Sequence, residues 1–90
     1  MNKKNKIEAS LIKMIAILKK NNVHDWANAL ERCQQELSEK PIEVKNKILS
    51  MYGGMGSLND IIFYNLGQPL SKENTEFANL RSKLYYLCRE

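Results

Sequence analysis

The sequence predicts an all-α fold: a compact single domain of four or five short helices spanning residues 1–90. Three observations predict it. Apolar residues recur at spacings of three and four in separate segments, the signature of helices with one buried face. Helix punctuation falls between those segments, at Asn21-Asn22, Pro41, Gly53-Gly54 and Ser71. Only one stretch, Ile61-Ile62-Phe63-Tyr64, has strong strand preference, and no other segment offers a convincing strand partner.

The first helix is expected over about 4–20, where Ile7, Leu11, Ile15 and Leu18 form the stripe and Ile12 and Met14 widen it. Lys19 and Lys20 close it, suiting the negative end of the helix dipole. Asn21-Asn22 is a stop, because asparagine tolerates the left-handed conformation. The second helix is expected over about 24–38, with Asn22 as candidate N-cap and Trp26, Leu30, Cys33 and Leu37 on its stripe. The third begins at Pro41, whose missing N–H is harmless in a first turn. It presents Ile42, Lys45, Ile48 and Tyr52 in one row, with Val44, Leu49 and Met51 beside them, and ends at Gly53-Gly54.

Three of the four glycines lie in the run Tyr52-Gly53-Gly54-Met55-Gly56-Ser57-Leu58-Asn59-Asp60, so an unusual backbone path is expected there. Gly53 or Gly54 ends a helix, Gly56 allows a close backbone approach, and Ser57 caps the next helix. Asp60 completes a variant capping box. A short buried helix through Leu58, Ile61, Ile62 and Phe63 is the favoured reading, with a strand as its rival. After a loop at Leu66-Gly67-Gln68-Pro69, Ser71 caps a last helix. Its inward face is Phe77, Leu80, Leu84 and Leu87, with Tyr85 and Cys88 alongside, and Arg89 complements its C-terminal dipole.

The formal net charge of +4 is unevenly placed. Through Lys20 there are six lysines against Glu8, a net of +5; from Asn21 to Lys40, four acids oppose two bases, a net of −2. No run approaches the roughly 20 apolar residues of a membrane span. No signal peptide is expected, since Lys13 interrupts the first apolar stretch. Cys33 and Cys88 read as reduced thiols packed as small hydrophobes in a cytoplasmic protein.

Chemistry-bearing constellations are sparse. One histidine, His24, and two scattered cysteines lack zinc-ligand spacing, so no metal and no cofactor is expected. Ser57 has no identifiable base, and an enzyme built on Asp60 or His24 has no definable substrate. The glycine run lacks the Gly-Lys-Ser/Thr ending of a phosphate loop, and Asp60 would repel an anion. It reads instead as a tight corner or as a rigid recognition turn, with Met55 as an adaptable contact and Tyr52, Ser57, Asn59 and Asp60 around it.

The nine-residue run, an apolar segment after it, and Asn79-Leu80-Arg81 to Leu84-Tyr85 in the last helix resemble a family of small, poorly characterised bacterial proteins. The resemblance covers the chain from about Trp26 onward and implies no activity or catalytic residues. Size, charge asymmetry and the lack of a catalytic set predict a non-enzymatic protein-binding module. Its sharper form is an immunity or inhibitor protein that neutralises a toxin domain. The expected contacts are the glycine turn and an acidic patch of Glu31, Glu36 and Glu39, which could meet a basic cleft. The alternative is nucleic-acid binding through Lys3, Lys4, Lys6, Lys13, Lys19 and Lys20.

Overall fold

The computed structural model describes residues 3–53 and 56–89. Four helices carry the structure: α1 (Lys3–Lys20), α2 (His24–Glu36), α3 (Pro41–Leu49) and α4 (Ser71–Arg89). Between α3 and α4 lie one 3₁₀ turn (Leu58–Asp60) and a two-stranded hairpin, β1 (Tyr64–Asn65) and β2 (Gln68–Pro69). The all-α expectation holds.

Helix α1 is the centre of the packing, set against α2 on one side and α4 on another, while α3 closes against α4 and α2. Its Ile7, Leu11, Met14, Ile15 and Leu18 are buried, as the stripe requires. They meet Ala27, Leu30, Cys33 and Leu37 of the α2 region, Val44 and Ile48 of α3, and Phe77, Leu84 and Cys88 of α4 in one apolar cluster. Asn22 adopts a left-handed backbone (φ 62°) and ends the first helical unit as expected. It does not cap α2: Val23 occupies the N-cap position, without a side-chain hydrogen bond.

Several expected boundaries and faces shift. Helix α2 stops at Glu36, short of Ser38. Helix α3 stops at Leu49 rather than at the glycines, and Met51 and Tyr52 N–H groups donate to the carbonyls of Ile48 and Leu49, which tightens the chain into turns. The buried row of α3 is Val44 and Ile48, whereas Ile42 is 74% exposed. In α4, Leu80 and Leu87 are only half-buried, and Phe77, Leu84 and Cys88 face the core.

The largest departure lies at residues 58–63. The favoured short helix is one turn of 3₁₀ only, after which the chain is extended. Phe63 points inward and Ile62 outward, the alternation of a strand. The pairing partner absent from the sequence pattern is a side chain. Phe63 N–H donates to Asn74 Oδ1 (2.8 Å) and Asn74 Nδ2 donates to Phe63 O (3.1 Å). The Leu70 N–H adds a bond to the same carbonyl (2.9 Å), and the Phe63 ring meets Phe77 edge-on at 5.2 Å. The amide of one α4 residue thus stands in for a neighbouring strand.

The hairpin beyond it turns at Leu66 and Gly67, whose φ angles are both positive (52° and 78°), as a two-residue type I′ connection demands. Asparagine or aspartate is the usual first residue of such a turn; here it is a leucine, 95% exposed. Among the described residues, no helix is long and apolar enough to cross a membrane.

Candidate functional site

The glycine corner is held closed by its own polar groups. Leu58 N–H donates to Met51 O (2.9 Å), bringing the two ends of the run together. Ser57 Oγ accepts from Asn59 N–H (3.2 Å), and Asp60 Oδ2 accepts from Gly56 N–H (2.7 Å). The expected capping box therefore closes one residue early, on Gly56 rather than on Ser57 itself. Gly53 and Gly56 have positive φ (92° and 71°), and a Cβ at either would meet nothing within 4 Å. Backbone angle, not close approach, is why Gly56 is a glycine.

Tyr52 joins this corner to α4. Its hydroxyl donates to Arg81 O (2.7 Å), and its ring lies 5.0 Å from that of Tyr85, tilted by 58°. Burial pushes the phenol well above its usual pKa, against the opposing pull of Arg81. Tyr85 in turn meets Tyr86 edge-on at 5.8 Å and carries the Arg89 guanidinium over its face at 5.5 Å.

These contacts shape an open groove of about 560 Å³. Leu49, Tyr52, Gly53 and Asn59 form the corner wall. Arg81, Ser82, Tyr85, Tyr86 and Arg89 form the α4 wall. Among the described residues, no acidic side chain lines it and neither arginine has an acidic partner. Tyr86 leaves its ring largely open, at 61% exposure. The arrangement offers two charge-fixed forks, aromatic surface and small polar groups, which suits an anionic, partly apolar ligand.

The residues expected from sequence distribute unevenly around this groove. Tyr52 and Asn59 line it. Asp60 is exposed but committed to Gly56 N–H, and Ser57 is buried with its oxygen committed to Asn59, so both hold the corner in shape. Met55 lies outside the described residues. On α2, Glu31 pairs with Lys19 at 3.1 Å, which weakens the acidic patch; Glu36 and Glu39, beyond the groove, are exposed. Sequence reading does not single out Arg81, Ser82 or Tyr86. The available signal is the four-residue spacing of Arg81, Tyr85 and Arg89, and of Ser82 and Tyr86, which sets a basic and aromatic band on one side of a helix.

The remaining candidates carry less. Lys19 and Lys20 of the basic helix are taken up by Glu31 and Glu73, while Lys4, Lys6 and Lys13 are exposed. His24 is an exposed first residue of α2. Cys33 and Cys88 are buried free thiols; burial raises the pKa of both, that of Cys88 to about 11, so neither is an activated nucleophile. Among the described residues no group of three His, Cys, Asp or Glu side chains could hold a metal ion.

No curated protein and no solved structure matches the chain. Residues 19–71 match a family model described as a domain of unknown function, DUF6966. The match runs from the end of α1 to the first residue of α4, so it takes in the corner and the hairpin, while the α4 wall of the groove lies beyond it.

Proposed function

Given that the chain belongs to the DUF6966 family of domains of unknown function, we propose that it is a non-enzymatic protein-binding module. In the sharper form of this reading it is a cytoplasmic bacterial immunity or inhibitor protein that engages a toxin domain. The observation that carries the reading is the groove between the glycine corner and α4. Arginine and tyrosine are the residue types that dominate binding energy at protein interfaces, and here they converge on a concave surface held by a half-buried tyrosine hydroxyl. The acidic patch supports the reading less well, because Lys19 neutralises one of its three members. Nucleic-acid binding through α1 is weaker for the same kind of reason, since Lys19 and Lys20 are already paired with Glu31 and Glu73.

The test is a titration of the purified chain, by calorimetry, with proteins encoded beside its gene. A stable complex is expected, weakened about 10–100-fold by Arg81→Ala or Tyr86→Ala, as for interface residues that carry binding energy. If no neighbouring product forms a complex, the reading fails. A partner whose toxic activity is blocked when the chain is added would establish the sharper form.

A further inference from the structure

Resting on that protein-binding reading, we infer that the groove takes an extended acidic segment of its partner, with carboxylates four residues apart seated on Arg81 and Arg89. The spacing carries the argument. Arg81 and Arg89 are eight residues apart on α4, which places them about 12 Å apart along the helix axis at 1.5 Å per residue. An extended peptide rises about 3.3 Å per residue, so side chains four apart lie about 13 Å apart. Because the strand period is two, those two side chains point the same way, and the residue midway between them does too. Midway along this wall is Tyr85, whose ring Arg89 and Tyr52 cover, and the open ring of Tyr86 stands beside it, one residue nearer Arg89. The geometry therefore calls for an acidic residue, then an apolar or aromatic residue two positions on, then a second acidic residue.

The electrostatics agree. Among the described residues, both arginines lack acidic partners and no carboxylate lines the groove. A guanidinium can grip a carboxylate through two parallel hydrogen bonds. Arg89 is already laid against Tyr85, so less freedom is lost when it binds. Ser82 and Asn59 supply polar side chains for the peptide backbone. Single-stranded nucleic acid fits less well, because it wants a row of open aromatic faces. Here Tyr52 packs on Tyr85, and Arg89 covers Tyr85, which leaves Tyr86 alone.

The experiment is fluorescence anisotropy on the full chain with a labelled peptide of sequence Gly-Glu-Ala-Phe-Ala-Glu-Gly. Three comparisons accompany it: the same peptide with both Glu changed to Gln, one with the two Glu adjacent, and a labelled twelve-nucleotide oligothymidine. The acidic peptide should bind at least about tenfold more tightly than the Gln and adjacent-Glu versions, because only it can fill both forks. Arg81→Glu and Arg89→Glu should each weaken it by at least about tenfold, and Arg89→Lys by less, since charge survives but the fork does not. Lys4→Glu and Lys13→Glu should change it by less than about twofold at physiological salt, where distant surface charges are screened. Thermal melts of each variant show whether it is folded, and Arg89→Lys keeps the test open should a charge reversal unfold the chain.

Equal binding of the Glu and Gln peptides, or indifference to the arginine changes, overturns the inference. So does tighter binding of oligothymidine that is lost with the same changes. A partner protein that binds wild type and the double Arg→Glu variant alike also overturns it, while leaving the protein-binding reading intact. If no neighbouring protein binds at all, it is the broader reading that falls.

Discussion

The four-helix frame and the connection from α3 to α4 face one physical demand, the pairing of backbone polar groups as the chain leaves water, and meet it differently. In the frame, the helices pair their own backbones and the apolar stripes supply the burial. In the connection, side chains supply pairing that the short turns and two-residue strands leave unmet. Ser57 and Asp60 take corner amides, and Asn74 takes both polar groups of Phe63. The frame's energy is therefore spread over many interchangeable apolar contacts. The connection's is concentrated in a few residues whose atoms cannot be exchanged, and damage to each region should look different.

The largest effect should come from the frame. Leu11→Ala removes a fully buried side chain at the centre of α1 and should cost roughly 2–5 kcal/mol, read as a uniform fall in urea midpoint across all probes. Next is Asn74→Ala, which leaves the Phe63 N–H unpaired and its carbonyl with the Leu70 N–H alone, and should cost about 1–3 kcal/mol. Its signature is local: amide hydrogen exchange should rise across residues 58–70 before it rises in α1. Exchange that rises equally everywhere would erase the distinction between the two regions. Ser57→Ala should cost about 1 kcal/mol by the same local route.

The smallest effect lies where the frame is joined end to end. Glu73 accepts from Asn21 Nδ2 at 2.7 Å and pairs with Lys20 at 3.0 Å, and these contacts hold its pKa below the usual glutamate value. A carboxyl whose pKa is lowered on folding stabilises the folded state above its unfolded pKa, and that contribution is lost as pH falls through the folded value. Wild type should therefore lose more of its melting temperature on acidification than Glu73→Gln does. Matching pH profiles would show that the Asn21–Glu73–Lys20 junction contributes nothing.

What sequence alone conveyed follows the same division. The α1 stripe, the Asn22 stop and the start at Pro41 were readable because each depends on residues within one or two turns of itself. The extended path of residues 61–63 was not, because its partner is the side chain of Asn74, eleven residues on from Phe63 and outside any strand pattern. The groove was half readable. Tyr52 and Asn59 stood out through the glycines near them, but Arg81 and Tyr86 join them only because α3 packs on α4 and Tyr52 reaches across 29 residues to the Arg81 carbonyl. On a helix read alone, Arg81 and Tyr86 are ordinary surface residues.

The Asn74 clasp has a consequence beyond folding energy. From Ile61 to Leu70 the chain carries no charge, and it opens with Ile-Ile-Phe-Tyr, a composition suited to intermolecular stacking into fibrils. Only Asp60 before it and Lys72 after it act as charged gatekeepers. The strand edge within it is short and is blunted at Pro69, which has no N–H to offer a neighbouring molecule. The Asn74 carboxamide occupies the Phe63 donor and shares its acceptor with Leu70 N–H, so its loss should free that donor for other copies of the chain and show as self-association on storage well before the helices melt.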